Sequence, residues 1–137
     1  MAHSRLSRPR RIRSLTERFR RTACRRAWGE PQRQVTVLPG VTWFSTAGHG
    51  GFIVSDEKFP LNPVLRNSKH FQGTTVTRGG DVRVTFYEFE EDAAWAALCL
   101  VHPEVREAAN ATGLFPNRVE ADYCAASVKR WYPELGI

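Results

Sequence analysis

An α+β fold is predicted: a small antiparallel sheet with C-terminal helices packed on one face, preceded by a basic amphipathic N-terminal helix. Three observations predict it. From Gln34 to Phe89 apolar residues recur mostly with period two, and from Glu90 to Trp131 they recur with helical spacing. Strands followed by helices, instead of alternating with them, give one sheet with helices to one side. The chain has 137 residues, 42% of them apolar, which suits a single core.

Residues 1–13, MAHSRLSRPRRIR, lack apolar periodicity and contain Pro9; they are expected to be a disordered basic tail. Residues 14–29 are expected to form an arginine-rich helical arm. Ser14 and Glu17 have the spacing of a capping box, and Leu15, Phe19, Ala23 and Ala27 form a narrow apolar stripe among Arg18, Arg20, Arg21, Arg25 and Arg26. That stripe suits packing on the body or docking of a partner. Gly29 and Pro31 stop the helix.

Residues 30–137 are expected to form one α+β domain. QVTVL, a Pro-Gly turn and VTWFST read as two strands, and GFIVS follows a glycine turn. Residues 56–73 read as a long surface loop. TTVTRGGDVRVTFYEF reads as a hairpin around Arg-Gly-Gly-Asp. Glu90, Glu91 and Asp92 are expected to face the unpaired amides of a helix start, EEDAAWAALCLV. PEVREAANA is a second short helix. A third is expected to begin with an Asn117–Glu120 cap, burying Val119, Tyr123 or Cys124, Val128 and Trp131, and to end at Pro133.

Charge is divided unevenly. Residues 1–33 carry eleven arginines against Glu17 and Glu30, a balance of +9; residues 34–137 carry nine basic and twelve acidic residues, a balance of −3. An arginine-rich, acid-poor start suits an organelle-targeting presequence or a polyanion-binding arm. The sequence includes Met1, which a removed presequence would lack, so the arm is the expectation. No apolar run approaches the roughly 20 residues of a membrane span. Cys24, Cys99 and Cys124 are odd in number and lack a CxxC spacing, pointing to a reducing cytoplasm and to core packing more than to nucleophiles or a zinc site.

Four segments carry a resemblance: WG at Trp28–Gly29, STAGHGGF at Ser45–Phe52, YEFEEDAAWA at Tyr87–Ala96 and RWYPE at Arg130–Glu134. From Trp28 to the end the chain resembles a domain family of unknown function encoded by phages, plasmids and other mobile elements. Its shared features are a Trp-Gly start, a Thr-x-x-His-Gly-Gly turn, a Glu-Glu-Asp cluster before a Trp-bearing helix, and a Trp-x-Pro close. Here Glu88 and Phe89 separate the tyrosine from the acids, and the arginine arm lies outside the shared region. The resemblance implies an accessory protein of a mobile element and no reaction.

His49 sits among Gly48, Gly50 and Gly51, which suit close backbone approach or an anion-binding nest. With Thr46, Glu91 and Asp92 it sketches a hydrolytic or ligand site. The favoured reading is a structural clasp of His49, Gly50 and Gly51 with Glu90, Glu91 and Asp92, and no enzyme activity. No metal or cofactor is expected, because His49, His70 and His102 lack ligand spacing and His102 reads as a surface residue. The expected function is binding of nucleic acid or a host nucleoprotein, for example the ribosome, through Arg5, Arg8, Arg10, Arg11, Arg13, Arg18, Arg20, Arg21, Arg25 and Arg26. Their guanidinium forks match phosphate and stack on bases. The alternatives are an inhibitor docking on an acidic host protein and a small hydrolase centred on His49.

Overall fold

The structure, a computed structural model, describes residues 18–71, 73–78 and 82–137. The expected tail, the Ser14–Glu17 capping box, Leu15 and the Gly-Gly-Asp turn therefore lie outside the described residues.

Five antiparallel strands form one sheet: β1 (Arg33–Leu38), β2 (Val41–Ser45), β3 (Gly50–Ser55), β4 (Thr74–Arg78) and β5 (Val82–Glu90), in the spatial order β1-β2-β3-β5-β4. Around it lie helix α1 (18–27), the single turn α2 (Pro63–Arg66), α3 (Ala94–Val101), α4 (Pro103–Ala111) and α5 (Ala121–Trp131). The α+β expectation holds.

Strand alternation divides the core between two faces. Phe52 pairs with Phe89 and Trp43 with Phe52; with Val41 and Val54 they meet the apolar sides of α3, α4 and α5. On the opposite face Phe44, Ile53, Val76, Val84 and Phe86 meet Ala23 and Cys24 of α1, with Phe19 and Trp28 at the margin. Of the two roles open to the arm's apolar stripe, packing on the body is realised, so helices cover both sheet faces. Each fully buried Phe contributes about 1.5–3 kcal/mol.

Three boundaries depart from expectation. Residues 56–73 hold α2 and a short 3-10 turn, Lys69–Phe71, and Leu61, Leu65 and Phe71 are buried. This connection is a plug beside the core, with Phe71 stacked on Phe89 at 4.8 Å. Glu90 ends β5, and Glu91 and Asp92 lie in the turn before α3, whose first turn contains no acid. The acids bond other backbone, as described below. Helix α5 starts at Ala121, with no side-chain cap from Glu120. The side chain of Asn110 instead holds both the N–H and the carbonyl of Val119 at 2.8 Å.

Candidate functional site: a carboxylate junction and an arginine helix

The glycine turn between β2 and β3 is closed by Thr46 and the backbone of His49. Thr46 donates its N–H and its hydroxyl to the His49 carbonyl, each at 2.8 Å, and its Oγ1 accepts the His49 N–H at 3.1 Å. The turn is then tied to the far end of β5. The Gly50 N–H donates to Glu91 Oε2 at 2.9 Å, and the Glu91 N–H donates to the Gly50 carbonyl at 3.0 Å. Gly51 lies at φ 146°, and a Cβ there would stand 2.2 Å from the Phe89 carbonyl oxygen. One at Gly50 would stand 2.6 Å from the Phe44 carbonyl oxygen, whereas Gly48 faces open space.

The imidazole takes little part. The His49 side chain is 61% exposed and its Nδ1 lies 3.9 Å from Glu91 Oε1, too long for a hydrogen bond. Thr46 Oγ1 is engaged by the His49 backbone, and Asp92 Oδ1 accepts the Ala93 N–H at 2.7 Å. The clasp is thus formed by peptide groups and the Glu91 carboxylate. Of the residues expected in the clasp, Gly50 and Glu91 make the bonds, and the His49 backbone bonds Thr46.

The four quoted segments converge on this junction. Trp28 donates its indole N–H to Glu90 Oε1 at 3.3 Å, and Gly50 grips Glu91. From the chain's end, Tyr132 closes a polar cavity of about 230 Å³ lined by Glu88, Glu90, Asp92 and His70. Glu134 contacts His70 at the rim. Burial pushes the Glu88 carboxyl above the usual carboxylate range; the Thr74 hydroxyl, donating at 3.2 Å, opposes the rise and Glu90 adds to it. Burial also raises the Tyr132 phenol, with Asp92, Glu90 and Glu134 adding to it. His70 and Glu134 are 64 positions apart, so no spacing marked them as neighbours. His102 likewise proved more than a surface residue: its Nε2 accepts the Asn62 N–H at 3.1 Å, and its ring packs edge-on against Phe59. Among the described residues no three His, Cys, Asp or Glu side chains group in a way that could hold a metal ion.

The described arginines of the arm are largely committed to the body. Arg20, 8% exposed, lies against the sheet and donates to Thr42 Oγ1 at 3.0 Å and Thr36 Oγ1 at 3.4 Å. Arg21 donates to Gln34, Arg25 pairs with Glu30 at 2.8 Å, and Arg26 donates to the Thr75 carbonyl on edge strand β4. Arg18 is exposed. Cys24 is buried, and burial pushes its thiol up to about 11 despite Arg21 and Arg25 nearby. Arg5, Arg8, Arg10, Arg11 and Arg13 lie outside the described residues.

A five-stranded antiparallel sheet with a helix on one face, three on the other and a carboxylate junction at one strand end defines a small α+β domain. The chain belongs to the family described as a domain of unknown function, DUF7007, whose model matches residues 21–135. No curated protein and no solved structure matches it. The match begins inside α1, seven residues before Trp28, and so includes the buried Ala23 and Cys24. No described helix is long and apolar enough to cross a membrane.

Proposed function

We propose that this protein binds nucleic acid, or a host nucleoprotein complex such as the ribosome, through its arginine-rich N-terminal segment, acting in the host cytoplasm as an accessory protein of a phage or other mobile element. The observation that carries this reading is the charge division: +9 over residues 1–33 against −3 over the remainder. Phosphate contacts draw on arginine, so a polyanion is drawn first to the arginine-rich end of the molecule.

The packing of α1 refines which arginines take part. Arg20, Arg21 and Arg26 fasten the helix to the sheet and Arg25 pairs with Glu30 just beyond it, so the binding charge would fall chiefly to Arg18 with Arg5, Arg8, Arg10, Arg11 and Arg13. No reaction is assigned to His49, whose imidazole is exposed and whose neighbouring carboxylate, Glu91, holds Gly50.

The test is affinity for RNA and DNA at low salt, with and without residues 1–17. The expected result is binding by the full chain that falls steeply on truncation. Unchanged affinity would sink the reading. Nuclease-resistant capture of one host protein that depends on residues 1–17 would replace it with an inhibitor docking on an acidic protein surface.

A further inference from the structure

We propose that the outer face of α5 is a stacking platform for the bases of single-stranded nucleic acid; this rests on the nucleic-acid reading and adds a second contact on the opposite side of the sheet from α1. Helix α5 buries Cys124 and Val128 against the core and turns two large aromatic rings outward, Tyr123 at 63% exposure and Trp131 at 56%. They stand eight residues apart, about 12 Å along the helix axis. Between them Ala126 and Ser127 leave a shallow depression of about 230 Å³.

One ring is backed by another, and the second is covered on one side by a guanidinium. Trp95 of α3 stacks behind Tyr123, with centroids 6.0 Å apart and planes inclined by 21°. Beyond Tyr123 the surface continues into an apolar groove of about 370 Å³ floored by Trp95, Phe115 and Val119. The Arg130 guanidinium lies 4.9 Å from the Trp131 ring centroid.

Charge selects the occupant. Arg130 lies over the Trp131 ring and Lys129 sits in the same last turn of α5, and among the described residues neither lies within ion-pair distance of a carboxylate. The acids near Tyr123 are arranged differently: Glu120 pairs with Arg118 at 2.9 Å, and Asp122 sits in the first turn of α5. The helix therefore runs from an acidic start to a cationic, aromatic end. Rigid rings tolerate any base, and flanking cations meet the backbone phosphates; a duplex, with its bases stacked inward, offers nothing to the rings. The strand would lie across the depression with its bases against Trp131 and Tyr123 and its phosphates toward Arg130.

The experiment is fluorescence anisotropy of the full chain with a labelled oligo-uridine, an oligo-thymidine and a duplex of equal length, at a salt concentration where arm-driven binding is weak. Tyr123→Ala and Trp131→Ala should each weaken single-strand binding by about tenfold, with duplex binding unchanged. Tyr123→Phe and Trp131→Phe should restore it, and urea unfolding of all four variants should match the parent protein because the positions are exposed. Single-strand affinity unchanged in both alanine variants would overturn the platform while leaving the arm reading intact. Binding of neither single strand nor duplex by the full chain, at low salt as well, would overturn both. Loss of self-association or of a protein partner in the alanine variants, without loss of nucleic-acid affinity, would make this face a protein-docking surface and overturn the platform.

Discussion

At the scale of single residues, the Thr-x-x-His-Gly-Gly turn owes its composition to backbone geometry. Gly51 combines a left-handed φ with a peptide carbonyl where a Cβ would be, so Gly51→Ala is expected to abolish folding, whereas Gly48→Ala should be tolerated. The carboxylate of Glu91 satisfies a partly buried amide, and the His49 ring stands in solvent. Glu91→Ala should therefore cost about 1–3 kcal/mol, and His49→Ala less than about 0.5 kcal/mol, by urea unfolding. The reverse order would return the imidazole to the centre of the clasp. Glu88 adds a pH dependence. Its folded pKa is raised above its unfolded value, so its contribution to stability is fully present below the unfolded glutamate range, about pH 4, and is lost as pH rises through the folded value. Glu88→Gln keeps an acceptor for Thr74 and removes the charge. It should stabilise the protein near neutral pH, with the gain over the parent disappearing below about pH 4.

At the scale of elements, period-two and helical patterns were enough to place every strand and the helices of the C-terminal third, because burial on one face imposes those periods. Boundaries failed where a tertiary partner overrode a local signal. Glu90, Glu91 and Asp92 have the composition of a helix start, yet Trp28, Gly50 and the Ala93 amide claim them from outside that helix. Trp131 has helical spacing with the buried Cys124 and Val128 and is still exposed, because it is the last residue of α5. The candidate junction was legible as residue types but not as bonds. Helix α1 shows the same limit: its arginines announced charge, and only the packing of Ala23 and Cys24 reveals that half of the arm is body. That packing makes Cys24 a reporter. Its buried, high-pKa thiol should resist a disulfide-exchange reagent at pH 8 in the native protein, as should Cys99 and Cys124, whose thiols burial also raises. All three should react after denaturation. Rapid native labelling confined to Cys24 would show that α1 leaves the sheet.

At the scale of the whole molecule, the division of charge makes salt the sharpest probe of partnership. Residues 1–17 contribute five arginines and one glutamate, while the arginines of α1 are spent chiefly on Thr42, Gln34, Glu30 and Thr75. Each neutralised phosphate releases counterions and steepens the fall of log K with log salt by about 0.9 on duplex DNA and about 0.7 on a single strand. If Arg5, Arg8, Arg10, Arg11 and Arg13 each meet a phosphate, removing residues 1–17 should reduce the slope on duplex DNA by about 4 to 5. Arg20→Ala should lower unfolding stability through its lost contacts with Thr42 and Thr36 and leave that slope unchanged, because a guanidinium held against the sheet has no phosphate to meet. Affinity measured between 50 and 200 mM salt, the range of about a thousandfold change for such contacts, distinguishes the two variants directly. A reduced slope in Arg20→Ala with no loss of stability would mean that α1 undocks when it binds, and the anchoring role assigned to that helix would have to be given up.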